Sequence, residues 1–238
     1  MEDIQSINVD ENDISALLLG YYNAVKKELK DILQYWIINA KDKLSGGFIG
    51  RIDENNIPYP EAPKGVVLHS RILWAFSAAF KINPDPEYLQ MADIAFNFIS
   101  TYFIDKKQGG VYWSVNADGQ PLDTKKQIYA TAFAIYGSAV YFEASENIAA
   151  KTMAINLYMD IEKYSFDKEF KGYLEAFDKD WKPMADLRLS NKDANEKKTA
   201  NTHLHVLEAY TCLYRIWPDT HLKLQLQNLI ENFTNHII

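Results

Sequence analysis

Histidine, arginine and tyrosine stand near the starts of three stretches that are otherwise apolar. His69 and Arg71 fall in VVLHSRILWAFSAAF, Tyr129 in IYATAFAIYGSAVYF, and His203 and His205 in THLHVLEAYTCLYRIW. Imidazoles titrate near neutral pH and suit proton transfer. A guanidinium beside Leu73 and Trp74 needs several acceptors, whether carboxylates, carbonyls or ligand oxygens. Such groups are costly to bury unless they bond one another or a ligand. Each has a plainer reading too, because a single histidine on an apolar helix is commonly a hydrogen-bonded core residue. Trp113 either stacks on a ligand or closes its loop, and His69 equally fits a place against a neighbouring helix. His221 and His236 carry no assignment.

Setting Ala75-Phe76, Ile135-Tyr136 and Ala209-Tyr210 in register makes His69, Tyr129 and His203 equivalent, and likewise Arg71, Thr131 and His205. This predicts a shared rim, with Arg71, Tyr129 and His203 pointing into one concavity. The pair His203 and His205 raises metal binding. On a helix, however, residues i and i+2 diverge by ~200°, so the two rings do not easily reach one ion, and no metal is expected. Walker, G-x-G-x-x-G, H-E-x-x-H and G-x-S-x-G motifs are absent from the sequence.

The elements that must position these residues form a repeat. Each segment has an amphipathic helix (about 15–38, 86–104 and 147–164), a Gly- and aromatic-containing loop, and a more apolar helix beginning near 66, 127 or 202. The loops contain Gly46-Gly47-Phe48-Ile49, Gly109-Gly110-Val111-Tyr112-Trp113 and Gly172-Tyr173-Leu174, and Gly47, Gly110 and Gly172 are spaced by 63 and 62 residues. Such a period signals an array of helical hairpins. Charges on one face of the first helices and apolar cover around the second predict an outer and an inner ring. The expected fold is therefore all-α, a partial (α/α)6 toroid of about three hairpins plus one helix near 219–237, with short strands near 47–52, 110–115 and 172–177. Residues 1–238 read as a single incomplete domain, with 1–12 as a flexible N-terminal segment. An open edge of such an array should expose apolar surface, and self-association through it is one expected outcome.

Composition narrows the class. The net charge is −7, and acidic and basic residues are interspersed without a basic stripe, so nucleic acid is not an expected partner. Neither a secretory signal nor an apolar run of the ~18 residues needed for a membrane span is found. The single cysteine, Cys212, allows no internal disulfide, and a cytoplasmic location is expected. Aromatic residues reach 13%. Most such rings fill cores, but their faces also bind the flat C–H surfaces of sugars.

Three stretches together resemble the cellobiose 2-epimerases of the N-acylglucosamine 2-epimerase superfamily. They are KGVVLHSRILW around His69 and Arg71, QIYATAFAIYG around Tyr129, and NTHLHVLEAYT from Asn201 to Thr211. The resemblance runs from about residue 12 to the C-terminus and implies an α/α six-hairpin barrel without metal or organic cofactor. It further implies a substrate such as cellobiose, lactose or a related disaccharide, whose reducing-end glucose is converted to mannose through a cis-enediolate. Carried over by motif, Arg71 stabilises the developing oxyanion, while Tyr129 and His203 hold hydroxyls around C1 and C2 and assist ring opening. Trp113, His69 and His205 are the expected substrate-binding residues. The family's two C2-proton-exchanging histidines match nothing here by motif, so weak or absent activity is expected of the chain alone. Ser190-Asn191-Lys192-Asp193 also departs from the family pattern, which favours an acidic residue at Asn191. Two other readings stay open: a carbohydrate-active hydrolase or lyase on the same toroid, and a non-enzymatic assembly module. Hydrolysis wants two facing carboxylates, whereas the rim positions hold His, Tyr and Arg.

Overall fold

A computed structural model of the chain describes residues 11–237. The chain divides into two compact units, Met1–Ala40 and Lys41–Ile238. In the first, α1 (Glu11–Asn39) is a single long helix. It exposes Leu17, Leu18, Leu19, Tyr21, Tyr22 and Val25. Of the expected flexible segment 1–12, residues 1–10 lie outside the described residues, and Glu11 and Asn12 already belong to α1.

The second unit is built from three helical hairpins. Their members are α2 (Val66–Ile82) with α3 (Pro86–Phe98), α4 (Ile128–Ser145) with α5 (Ile148–Tyr164), and α6 (Ala200–Ile216) with α7 (Thr220–Asn232). Single π-helical turns, Ile99–Phe103 and Phe233–Ile237, extend α3 and α7. The connection within each hairpin is short and sharply capped. Asp85 caps α3 ahead of Pro86, Asn147 caps α5 and Asp219 caps α7, each accepting backbone N–H groups of the first turn. Among the described residues, no helix is long and apolar enough to cross a membrane.

The inner layer is α2, α4 and α6. Helix α4 packs against both others and against α3 and α5. It accordingly buries residues around its whole circumference, from Ile128 and Ala130 to Val140 and Tyr141. At Gly137 a β-carbon would stand 2.7 Å from the Ser70 carbonyl oxygen of α2, so only glycine permits this approach. All-round apolar cover was expected of every inner helix. Helices α2 and α6 instead leave one stripe partly open, carrying Arg71 and Trp74 or Asn201, Leu204 and His205.

Of the three expected strand positions, 110–115 and 172–177 end in short strands (Ser114–Val115 and Ala176–Phe177), whereas 47–52 holds only isolated bridges. A single bridge also closes each Gly loop: Lys41 with Phe48, Ile104 with Val111, and Phe166 with Tyr173. The paired strands join a loop to the residues just before an inner helix. Strand β1 (Lys64–Gly65) pairs with β2 (Ser114–Val115), which pairs with β3 (Pro121–Asp123), and β4 (Lys126–Gln127) pairs with β5 (Ala176–Phe177), all antiparallel. These two- and three-residue strands satisfy backbone groups where the chain turns into α2 and α4.

An ion pair recurs at every loop, almost wholly buried in the first two and partly accessible in the third. Lys64, Lys126 and Lys198 each stand two residues before an inner helix and reach Asp42, Asp105 and Asp167, each at 2.7 Å. The same aspartates accept two backbone N–H groups apiece from the turn that follows. This clamp fixes the true register of the repeat. Position 69 matches 131 and 203, position 71 matches 133 and 205, and Tyr129 matches Val67 and Asn201. The register expected from Ile135-Tyr136 is therefore displaced by two residues in the second repeat.

Candidate carbohydrate site on the inner helices

The inner face carries three aligned stripes at helical spacing: Arg71, Trp74 and Lys81 on α2; Tyr129, Phe133, Tyr136 and Glu143 on α4; His205, Glu208, Cys212 and Arg215 on α6. They meet in layers. Nearest the helix starts, Arg71 Nη2 donates to Tyr129 Oη at 3.3 Å, and its guanidinium carbon lies 4.6 Å from the Phe133 ring centre. His205 stands edge-on to Tyr129 with ring centres 4.9 Å apart, and its ring centre is 4.5 Å from that of Phe133. Phe133 thus carries a cation on its face and an imidazole beside it.

One layer further along, Trp74 stacks on Tyr136 at 5.3 Å. Burial pushes the Tyr136 phenol up to about 12, with Cys212 and Glu208 adding to the effect. In the last layer, Glu143 accepts two hydrogen bonds from Arg215, at 2.8 and 3.0 Å, and a further one from Lys81. That triad ties α2, α4 and α6 together at the far end from the cluster. The half-open end therefore holds a cation, a phenol and an imidazole over an aromatic floor.

The expected residues separate into two groups. Arg71, Tyr129 and His205 come together. His203 does not join them, contrary to the expected concavity of Arg71, Tyr129 and His203. Its Nε2 accepts the backbone N–H of Tyr173 at 3.0 Å, and its Nδ1 lies 2.7 Å from the Thr199 carbonyl oxygen. His69 is used identically, with Phe48 N–H on Nε2 at 3.1 Å and the Gly65 oxygen 3.0 Å from Nδ1. Both rings are buried, and burial pushes both pKa values down, that of His69 to about 4. They hold the Gly47 and Gly172 loops, where a β-carbon would meet the imidazole Nε2 at 2.9 and 2.4 Å. In the second repeat Thr131 takes this position, bonding the Gln127 carbonyl. Trp113 is half-buried beside β2. Its carbonyl accepts the Val66 N–H that opens α2, and Lys125 Nζ lies 4.9 Å from its ring.

Two features went unread in the sequence. Asn201 is exposed one turn before His205, at the register position of Tyr129, so it extends the same face. The long segment between β5 and α6 is pinned above the starts of α4 and α6. Gln127 Nε2 donates to the carbonyls of Leu187 and Arg188 at 3.2 and 3.1 Å. Buried Glu175 accepts from Thr199 N–H and from the Thr199 and Thr202 hydroxyls, and burial pushes its carboxyl pKa up. A hollow of about 160 Å³ between this segment and Asn201 borders the cluster's helix. Only the exposure of Asn201 within the NTHLH stretch could have signalled it.

The profile of the N-acylglucosamine 2-epimerase (GlcNAc 2-epimerase) family matches residues 47–238. The chain belongs to this family. Within the N-acylglucosamine 2-epimerase family, it is 49% identical over 215 residues to a cellobiose 2-epimerase of Bacteroides fragilis, covering 90% of this chain and 55% of that protein. The structure of cellobiose 2-epimerase from Spirochaeta thermophila DSM 6192 superposes with a TM-score of 0.83 at 38% identity, covering 90% of this chain and 54% of that one. The enzyme of the same name from Bacillus thermoamylovorans B4167 gives 0.85 at 36% identity, over 91% of this chain and 57% of that one. The chain spans about half the length of the curated relatives it matches, and its fold class is the helical-hairpin toroid of these neighbours.

Proposed function

We propose that the α2–α4–α6 face is the sugar-binding wall of a 2-epimerase. The reaction interconverts the reducing-end glucose and mannose of β-1,4-linked disaccharides, cellobiose giving 4-O-glucosyl-mannose. The observation that carries this reading is the convergence of Arg71, Tyr129 and His205 in a chain so similar to cellobiose 2-epimerases.

The chemistry follows from the residues. Removing the C2 proton of an opened aldose spreads negative charge over C2 and O1, and a fixed guanidinium stabilises the charge as it develops on O1. Phe133 holds the Arg71 plane from below. Because Tyr129 Oη accepts from Arg71, its own O–H is left to donate to a sugar oxygen. His205 supplies a third polar contact, in the role that the motif comparison gave to His203. Trp74 and Tyr136 form an aromatic floor deeper in the same face.

Inverting C2 needs a proton taken from one face of the enediolate and returned to the other. Among the described residues, His205 is the one histidine of this cluster. The reading therefore assigns this chain the binding and oxyanion groups, with slow proton exchange by the 238 residues alone. Cellobiose incubated in D2O tests it through deuterium at C2 and epimer formation. The reading expects cellobiose binding that weakens at least ~10-fold in Arg71→Ala, with C2 exchange at least ~10²-fold below that of an intact family enzyme. Full-rate exchange that survives Arg71→Ala and His205→Ala together would overturn it.

A further inference from the structure

The three inner-helix histidines are not used alike. His69 and His203 spend both ring nitrogens on backbone, Nδ1 on the carbonyl four residues earlier and Nε2 on a loop N–H. His205 breaks that pattern. Its Nδ1 lies 2.7 Å from Glu208 Oε2, three residues on along α6, and Nε2 has no hydrogen-bond partner among the described residues. The ring plane is set independently, edge-on to Tyr129 and against Phe133. An imidazole between a carboxylate and an aromatic wall has one nitrogen committed and one presented.

We infer that Glu208 is a positioning residue for His205. Its carboxylate accepts the Nδ1–H and holds the neutral imidazole in that tautomer, so the Nε2 lone pair is presented on the inner face as an acceptor for a sugar hydroxyl. The physical basis is general: the partner of one ring nitrogen decides which nitrogen carries the proton, and an orienting carboxylate does this by a charge-assisted bond. Without the carboxylate, nothing on α6 distinguishes the two nitrogens. Glu208 itself is partly exposed, its side chain 43% accessible, so replacing it removes no core contact. That the acceptor serves a sugar rests on the reading given under Proposed function, whereas the Glu208–His205 relation stands apart from it.

Nitrogen NMR of [15N]histidine-labelled protein above the titration range of imidazole separates the two tautomers at each ring. The wild-type chain should show His205 with a protonated Nδ1 and an unprotonated Nε2, at a bias of about tenfold or more. In Glu208→Leu the bias should fall toward parity. In Glu208→Gln, whose amide either accepts from or donates to Nδ1, both forms should appear. His69 and His203 should keep their Nδ1–H tautomers in all three proteins, which certifies the fold. A wild-type His205 protonated on Nε2, or a bias unchanged in Glu208→Leu, would overturn the inference. Adding cellobiose to the same samples separates the two ideas: a Glu208-dependent tautomer whose Nε2 signal ignores the sugar removes the sugar-wall reading and leaves Glu208 as the positioning residue.

Discussion

His203 accepts the backbone N–H of Tyr173 at 3.0 Å, and so fastens the Gly172 loop to the first turn of α6. The residue that sequence comparison placed among the catalytic groups thus has both nitrogens committed to backbone. Its replacement should act on stability. His203→Ala leaves a buried N–H unsatisfied and opens a cavity, costing about 2–3 kcal/mol. His205→Ala should cost less, since it removes ring contacts with Tyr129 and Phe133 and a pairing to a partly exposed carboxylate but leaves no buried backbone N–H without a partner. Denaturant titration of both variants checks this, and equal losses would contradict it.

The same use of histidine predicts acid sensitivity. Burial, opposed by the bond to Gly65 and reinforced by the Lys64 charge, takes His69 down to about 4. An unfolded chain restores the ordinary value near 6.5. A depressed folded pKa means that the unfolded state binds the extra proton, so the stabilisation is complete above about pH 6.5 and is lost as pH falls through about 4. The loss should be about 3 kcal/mol. His203 shifts in the same direction and adds to it. Unfolding free energies at pH 7 and 4.5 should differ accordingly, and His69→Gln should reduce the slope.

The recurring clamps should differ in weight. Lys64–Asp42 and Lys126–Asp105 are almost wholly buried, whereas Lys198 and Asp167 keep 26% and 20% of their side-chain surface. Removing one partner of a buried pair leaves an uncompensated charge, so Asp42→Asn and Asp105→Asn should each cost about 3–5 kcal/mol. Asp167→Asn should cost markedly less than either, because water reaches the lysine it leaves behind. Thermal denaturation of the three variants should rank them in that order.

Helices, hairpins and the order of inner and outer layers were legible because Gly47, Gly110 and Gly172 repeat evenly and the apolar periodicity is strong. Arg71 and Tyr129 drew notice as polar side chains in otherwise apolar stretches. The register was not. Aromatic matching drew Tyr136 onto Phe76 and Tyr210, while the clamp lysines, which do set the register, looked like ordinary loop charges. That displacement falls on Tyr129 and Thr131, while His203 and His205 keep the positions matched to His69 and Arg71; these two histidines were hard to tell apart for another reason. Two residues apart on one helix, they face opposite ways, and only the partners of each ring tell which one is open. Glu175 and Gln127 were invisible because their work depends on a long segment folding back over the helix starts.

The central claim is that the sugar meets Arg71, Tyr129 and His205, and that His69 and His203 only hold loops. Following the histidine ring signals while cellobiose is added tests it most directly. The account predicts a saturable change at His205 that disappears in Arg71→Ala, with His69 and His203 unmoved throughout. A saturable change at His203 while His205 stays fixed would contradict it.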